Sequence, residues 1–260
     1  MSQKLTRLLE RYKQQHRKCL SLFVTAGFPE RDATVDIICQ AADEGIDFIE
    51  LGVPFSDPVA DGPVIQRASQ RALANGIGLQ DVLEMVTDIR RSTEIPIILM
   101  GYLNPFHVMG MDAFFTRAKT AGVDGLIIPD WPLEESQSCQ AQLQAADLDL
   151  IHLIAPNTPP ARIREINHIS SAFIYCVAYT GVTGQDNHPT PEAIKFFDFL
   201  NCTLTHPWII GFGVKTRQDF RLYTQYSDGV IIGSAFIALL EQTPLHSRKS
   251  AVRTFITGLR

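Results

Sequence analysis

Glu50, Asp57 and Asp61 fall in the stretch ELGVPFSDPVADGP, residues 50 to 63, among Gly52, Pro54, Pro58, Gly62 and Pro63. Turn formers at that density fix the backbone that carries the acids. A fold rarely buries a carboxylate without a use for it, so acids on a rigid loop after an apolar run are candidates for acid–base work. The plain alternative is an Asx-turn loop with solvated acids. The settings differ. Glu50 lies between Ile49 and Leu51, where a raised pKa is expected, while Asp61 sits in a polar turn where it should stay ionised. Asp57, in Ser-Asp-Pro, reads as a turn initiator.

Histidine is the usual acid–base residue, but His107, His152 and His188 have no metal-ligand spacing such as HExxH, so packing or exposure is the expected role of each. Trp131, after Asp130 at a strand end, reads as packing. Cys19, Cys39, Cys139, Cys176 and Cys202 are scattered, odd in number and without a CxxC pair, as expected of reduced thiols.

The elements that must position the acids form a repeating pattern. LSLFVTAGFP, FIELGVPF, IPIILMGYL, DGLIIPDW, LDLIHLIAP, SAFIYCVAY, HPWIIGFGV and DGVIIGSAF each read as a buried strand ending in a loop. Helical spacing follows over 31–44, 64–74, 79–90, 112–119, 133–145, 160–168, 191–200 and 217–225, with more helix after the last strand. Residues 3 to 15 form a further amphipathic helix, a lid or plug carrying Leu5, Leu8, Leu9 and Tyr12. Near-continuous apolar strands alternating with helices mean a parallel sheet covered on its outer face. Eight such units in 260 residues match one α/β domain, a closed (β/α)8 TIM barrel with an extra N-terminal helix. An open doubly wound sheet is the second choice, weakened by the lack of GxGxxG after the first strand. No linker or composition break divides residues 1–260.

In a barrel, working residues stand at the C-terminal ends of strands, and the loops after the last strands often hold phosphate. GFGVKT closes the seventh strand and IIGSAF turns from the eighth directly into a helix. Gly213 and Gly233 admit backbone amides to an anion, and Ser234 adds a hydroxyl at the helix's positive end. TGVTG, residues 180–184, is a third glycine-bracketed loop. Lys215 reads equally well as a solvated lysine.

A net charge of −5 advertises no basic face, so nucleic acid and anionic membranes are not expected partners. No apolar run reaches the ~18 residues of a membrane span. The N-terminus lacks the apolar core of a signal peptide, so a reducing cytoplasm is expected.

ELGVPFSDPVADGPVIQRA, with LSLFVTAGFP, PDWPLEES, GVTG, GFGV and GSAF in order, resembles the tryptophan synthase α-subunit family over essentially the whole chain. The long segment is highly specific, whereas the glycine motifs are shared by many phosphate-binding barrels. The resemblance implies a TIM-barrel lyase of tryptophan biosynthesis, needing no metal or cofactor. It would cleave indole-3-glycerol phosphate to indole and glyceraldehyde 3-phosphate, then pass the indole to a β subunit within an αββα heterotetramer. By resemblance Glu50 and Asp61 are catalytic and Gly184, Gly213, Gly233 and Ser234 bind phosphate. Phe23, Ile65, Met100, Ile127, Leu153, Tyr175 and Phe212 surround the indole, and Thr183 meets the second carboxylate when its loop closes. That loop departs from the family pattern at Tyr179 and over Gln185, Asp186, Asn187 and His188. The alternative it suggests is a weakly catalytic barrel that mainly binds and activates the β subunit.

Overall fold

The computed structural model describes residues 3–177, 189–211 and 213–260. Its strands are β1 (Cys19–Thr25), β2 (Phe48–Gly52), β3 (Ile97–Met100), β4 (Gly125–Ile127), β5 (Asp149–Ile151), β6 (Leu153–Ile154), β7 (Ile174–Val177), β8 (Trp208–Gly211) and β9 (Gly229–Ile232). All pair in parallel, in the order β5-β4-β3-β2-β1-β9-β8-β7-β6. The two ends of that order are separated in the chain only by His152, whose carbonyl accepts the Tyr175 N–H at 3.0 Å. They are therefore one strand interrupted at a single residue. The sheet closes into a barrel of eight strands, as the eight strand–helix units predict.

The helices are α1 (Gln3–Gln14), α2 (Ala33–Asp43), α3 (Pro63–Ala74), α4 (Leu79–Arg90), α5 (Leu103–Met109), α6 (Met111–Ala121) and α7 (Leu133–Ser138). After them come α8 (Gln140–Ala145), α9 (Pro160–Ile169), α10 (Pro191–Thr203), α11 (Arg217–Tyr223), α12 (Ser234–Gln242) and α13 (Leu245–Leu259). Strands β1, β2 and β3 are buried at every position, because their inward side chains fill the barrel while the outward ones meet helices. Continuous apolar runs rather than alternation are the result.

α1 is a plug at the N-terminal ends of the strands. Leu5, Leu9 and Tyr12 are buried, and the Tyr12 hydroxyl donates to Asp47, just before β2, at 2.6 Å. Asp47 also accepts from the Leu20 N–H, Arg17 and Arg260, so one buried acid ties both ends of the chain to the barrel floor. The opposite rim is left open for chemistry.

Two elements differ from the sequence reading. The helix expected over 133–145 breaks at Cys139 into α7 and α8, where the Ser136 and Ser138 hydroxyls donate back to the carbonyls of Leu133 and Glu135. Such back-bonding bends helices. α5 was not expected. Asn104 and Pro105 look like a turn, yet Pro is tolerated in a first helical turn, and Asp130 from another loop accepts the Leu103 N–H at 2.8 Å.

Candidate active site

At the C-terminal rim, the end of β2 and the loop after it bring Glu50 and Asp61 into one cavity. Its wall is otherwise mainly apolar: Phe23, Val64, Ile65, Met100, Tyr175, Val214 and Ile231. The cavity has a volume of about 220 Å³ and also touches Gly213, Lys215, Gly233 and Ser234. Glu50 pairs in register with Phe23 on β1 and Ile98 on β3, which points it into the barrel. It is 1% exposed and neither carboxylate oxygen has a hydrogen-bond partner among the described residues. Burial, then the nearby Asp61 charge, pushes its pKa up to about 8.

Asp61 is partly buried. Burial raises its pKa to about 6, opposed by a hydrogen bond from Tyr102. It is more perturbed than a polar turn suggests, yet still largely ionised at neutral pH. The loop beneath it is pinned at several points. Tyr102 Oη accepts the Ala60 N–H at 2.9 Å, Gln66 Nε2 donates to the Asp61 carbonyl at 2.9 Å, and Ser69 Oγ bonds both the N–H and the C=O of Phe55. The Phe55 and Tyr102 rings stack at 5.3 Å. Asp57 is exposed and takes part in a local bond with Ser56.

The far end of the cavity is formed by the loop after β8 and the start of α12. Gly213 has φ +82°, a left-handed conformation that favours glycine. Asp219, in a capping box with Thr216, accepts the N–H groups of Lys215 and Thr216 at 2.9 Å each, fixing the loop after β8. Ser234 is the first residue of α12, so its hydroxyl lies beside the unpaired N–H groups of that helix's first turn.

Of the residues singled out from sequence, Glu50, Asp61, Phe23, Ile65, Met100, Tyr175, Gly213, Gly233 and Ser234 line this one cavity. Ile127 and Leu153 do not. Ile127 is fully buried on β4 beside Met100, and Leu153 lines a neighbouring cavity with Trp131 and Arg162. Both lie further round the barrel wall from β2. Thr183, Gly184 and Phe212 fall outside the described residues, as do Tyr179 and His188. His152 is held between the Ser136 and Ser170 hydroxyls, and burial lowers its pKa to about 4, while His107 is exposed. Trp131 packs on Phe115.

Sequence reasoning missed Tyr102, whose hydroxyl holds both the loop backbone and the Asp61 carboxylate. Its signal was weak, one tyrosine after a strand. Among the described residues no cluster of His, Cys, Asp and Glu could hold a metal ion.

Comparison with known proteins gives one consistent likeness. The family model described as tryptophan synthase alpha chain matches residues 9–257. The tryptophan synthase alpha chain of Methylibium petroleiphilum is 43% identical over 252 residues, 96% of this chain and 93% of that one. That of Thiobacillus denitrificans is 43% identical over 249 residues, 95% and 91% of the two chains. The crystal structure of tryptophan synthase subunit alpha from Legionella pneumophila superposes with a TM-score of 0.88 at 35% identity, covering 98% of each chain. A structure of Mycobacterium tuberculosis tryptophan synthase gives 0.88 at 32% identity, covering 98% of this chain and 96% of that one.

Proposed function

We propose, from the premise that the chain belongs to the tryptophan synthase alpha chain family, that Glu50 and Asp61 perform this family's cleavage reaction. The protein is a lyase of tryptophan biosynthesis. It cleaves indole-3-glycerol phosphate to indole and glyceraldehyde 3-phosphate, and the indole passes to a β subunit.

Cleavage is a retro-aldol step between the indole C3 and the hydroxyl-bearing carbon of the glycerol arm. C3 gains a proton, the C–C bond breaks, and the hydroxyl loses its proton as the aldehyde forms, so protons balance and no water is consumed. A single carboxyl can make both transfers if it begins protonated. Glu50 fits that role, because an acid with a pKa near 8 is mostly neutral at pH 7. As C3 is protonated, positive charge develops at the ring nitrogen. Asp61, ionised at the same pH, accepts the ring N–H and stabilises that charge. The apolar wall of Phe23, Ile65 and Met100 takes the indole, and the α12 N-terminus with Gly213, Gly233 and Ser234 takes the phosphate. The observation that carries this reading is the placement of two carboxylates in one apolar cavity, Glu50 wholly buried and Asp61 at its rim.

In this reading residues 1–260 act as one cytoplasmic domain, joined to β subunits as αββα. Among the described residues no helix is long and apolar enough to cross a membrane. Val59, on the loop carrying Asp61, and Val108, on α5, are exposed apolar side chains available to a partner. The test is indole release from indole-3-glycerol phosphate with and without β subunit. Cleavage by the isolated chain, accelerated by the partner, is expected. A chain that accelerates the β reaction while leaving indole-3-glycerol phosphate intact is an activator only, and the reading fails.

A further inference from the structure

Thr25 ends β1 with its hydroxyl buried and unpartnered. The residue is 2% exposed, and Oγ1 has no hydrogen-bond partner among the described residues. Its register partner is Gly52, so it faces inward above Phe23, toward the loop that carries Asp61. A buried hydroxyl left without a partner costs ~1–3 kcal/mol, so its surroundings call for an explanation.

Those surroundings are a small space lined by Thr25, Asp61, Ser69 and Tyr102, with Phe23 and Met100 shared with the substrate cavity. It offers about 10 Å³ to a water's centre, close to the minimum for one molecule. The nearby polar groups are mostly engaged. Ser69 Oγ is committed to Phe55, the Ala26 N–H to the Gly52 carbonyl, the Val53 N–H to Met100 and the Gly101 N–H to Ile127. Tyr102 Oη accepts from Ala60 and bonds Asp61. The groups with capacity to spare are the Thr25 hydroxyl and the Asp61 carboxylate. Both line this space for one water, and with the Tyr102 oxygen they offer it three polar partners.

We propose that Thr25 is a positioning residue which holds one water against the inner side of Asp61, and that this water keeps the carboxylate oriented and ionised. The proposal rests on the reading of Asp61 as the charge-holding carboxylate. Tyr102 approaches Asp61 from the loop after β3, Glu50 from β2 and Tyr175 from β7, while Lys215, in the loop after β8, lines the same substrate cavity. Of these, Tyr102 stabilises the ionised form by a hydrogen bond, and Glu50 repels it once ionised. The water supplies a second donor from the side that substrate does not reach.

The test is the pH dependence of kcat/KM for indole-3-glycerol phosphate cleavage, with β subunit present, in the parent, Thr25→Val and Thr25→Ser. Valine keeps the shape and removes the hydroxyl, while serine keeps the hydroxyl. Thr25→Val should move the acid limb upward by about 0.5 in pH and lower kcat/KM about fivefold, with little change in the basic limb. Thr25→Ser should stay within about twofold of the parent, as expected when the water contact survives. A Thr25→Val profile superimposing on the parent overturns the proposal, as does a serine variant impaired as severely as valine. Should valine not fold, a high-resolution crystal structure of the parent decides. Water within hydrogen-bond distance of Thr25 Oγ1 and the Asp61 carboxylate supports the assignment, and its absence ends it. A parent without cleavage activity would instead sink the functional reading, leaving the crystallographic arm to judge the water.

Discussion

At the residue scale, the proposed function depends on one environment acting differently on two carboxyls. Glu50 lies wholly inside the barrel and Asp61 at its rim, and burial raises both, to about 8 and about 6. The proposed mechanism needs Glu50 protonated and Asp61 ionised, a combination that dominates between those values. kcat/KM against pH should therefore be bell-shaped, with limbs near 6 and 8 that belong to the coupled pair, and a flat profile across that range would contradict the assignment. The same shift affects stability. Glu50 binds its proton more tightly folded than unfolded, so its contribution is fully present below the unfolded pKa and is lost as pH rises from about 4.5 through about 8. Glu50→Gln, which removes the ionisation, should flatten that decline and stabilise the chain by on the order of a few kcal/mol at pH 9. Urea denaturation of parent and variant at pH 5 and pH 9 measures it, and an equal difference at both pH values would refute it. The chemical types of both acids, and the apolar neighbours that raise Glu50, were legible in the sequence. Tyr102 was not, because its role depends on a fold that brings the start of α5 over the loop carrying Asp61.

At the scale of elements, the strands and most helices follow directly from apolar runs and helical spacing. The exceptions have non-local or side-chain causes. α5 depends on Asp130, a partner twenty-seven positions away, which no local pattern announces. The break at Cys139 comes from serine hydroxyls competing for backbone carbonyls inside an otherwise regular helical pattern. α1 was legible as amphipathic, but the sequence left open whether it is a lid or a plug. Its contacts with Asp47 and Glu94, both just before strands, place it on the floor. Leu5→Ala, which empties a fully buried position at that floor, should cost about 2–4 kcal/mol while leaving kcat of the folded enzyme within about twofold. Thermal melting and a cleavage assay below the melting range measure the two effects. A large loss of kcat without loss of stability would place α1 in the chemistry instead.

At the scale of the molecule, periodicity predicts eight strand–helix units but cannot prove that they close. Closure becomes visible where β5 and β6 prove to be one strand split at His152. Closing the sheet gathers the ends of β1, β2, β3, β7, β8 and β9 into one rim. Acids and apolar wall on one side thereby meet Gly213, Gly233 and Ser234 on the other, where the phosphate is proposed to bind. Ile127 and Leu153 stand on the barrel wall in register with Met100 and Tyr175, one strand further from the carboxylates than the residues that line their cavity. The central claim is that the buried Glu50 carboxyl moves the protons. Its most direct test is indole release from indole-3-glycerol phosphate by Glu50→Gln, with β subunit present and folding verified by circular dichroism. A fall of about a thousandfold or more is predicted, because the amide can neither give nor take the proton. Turnover within about tenfold of the parent would be less loss than removing a working acid–base group produces, and would remove Glu50 from the mechanism.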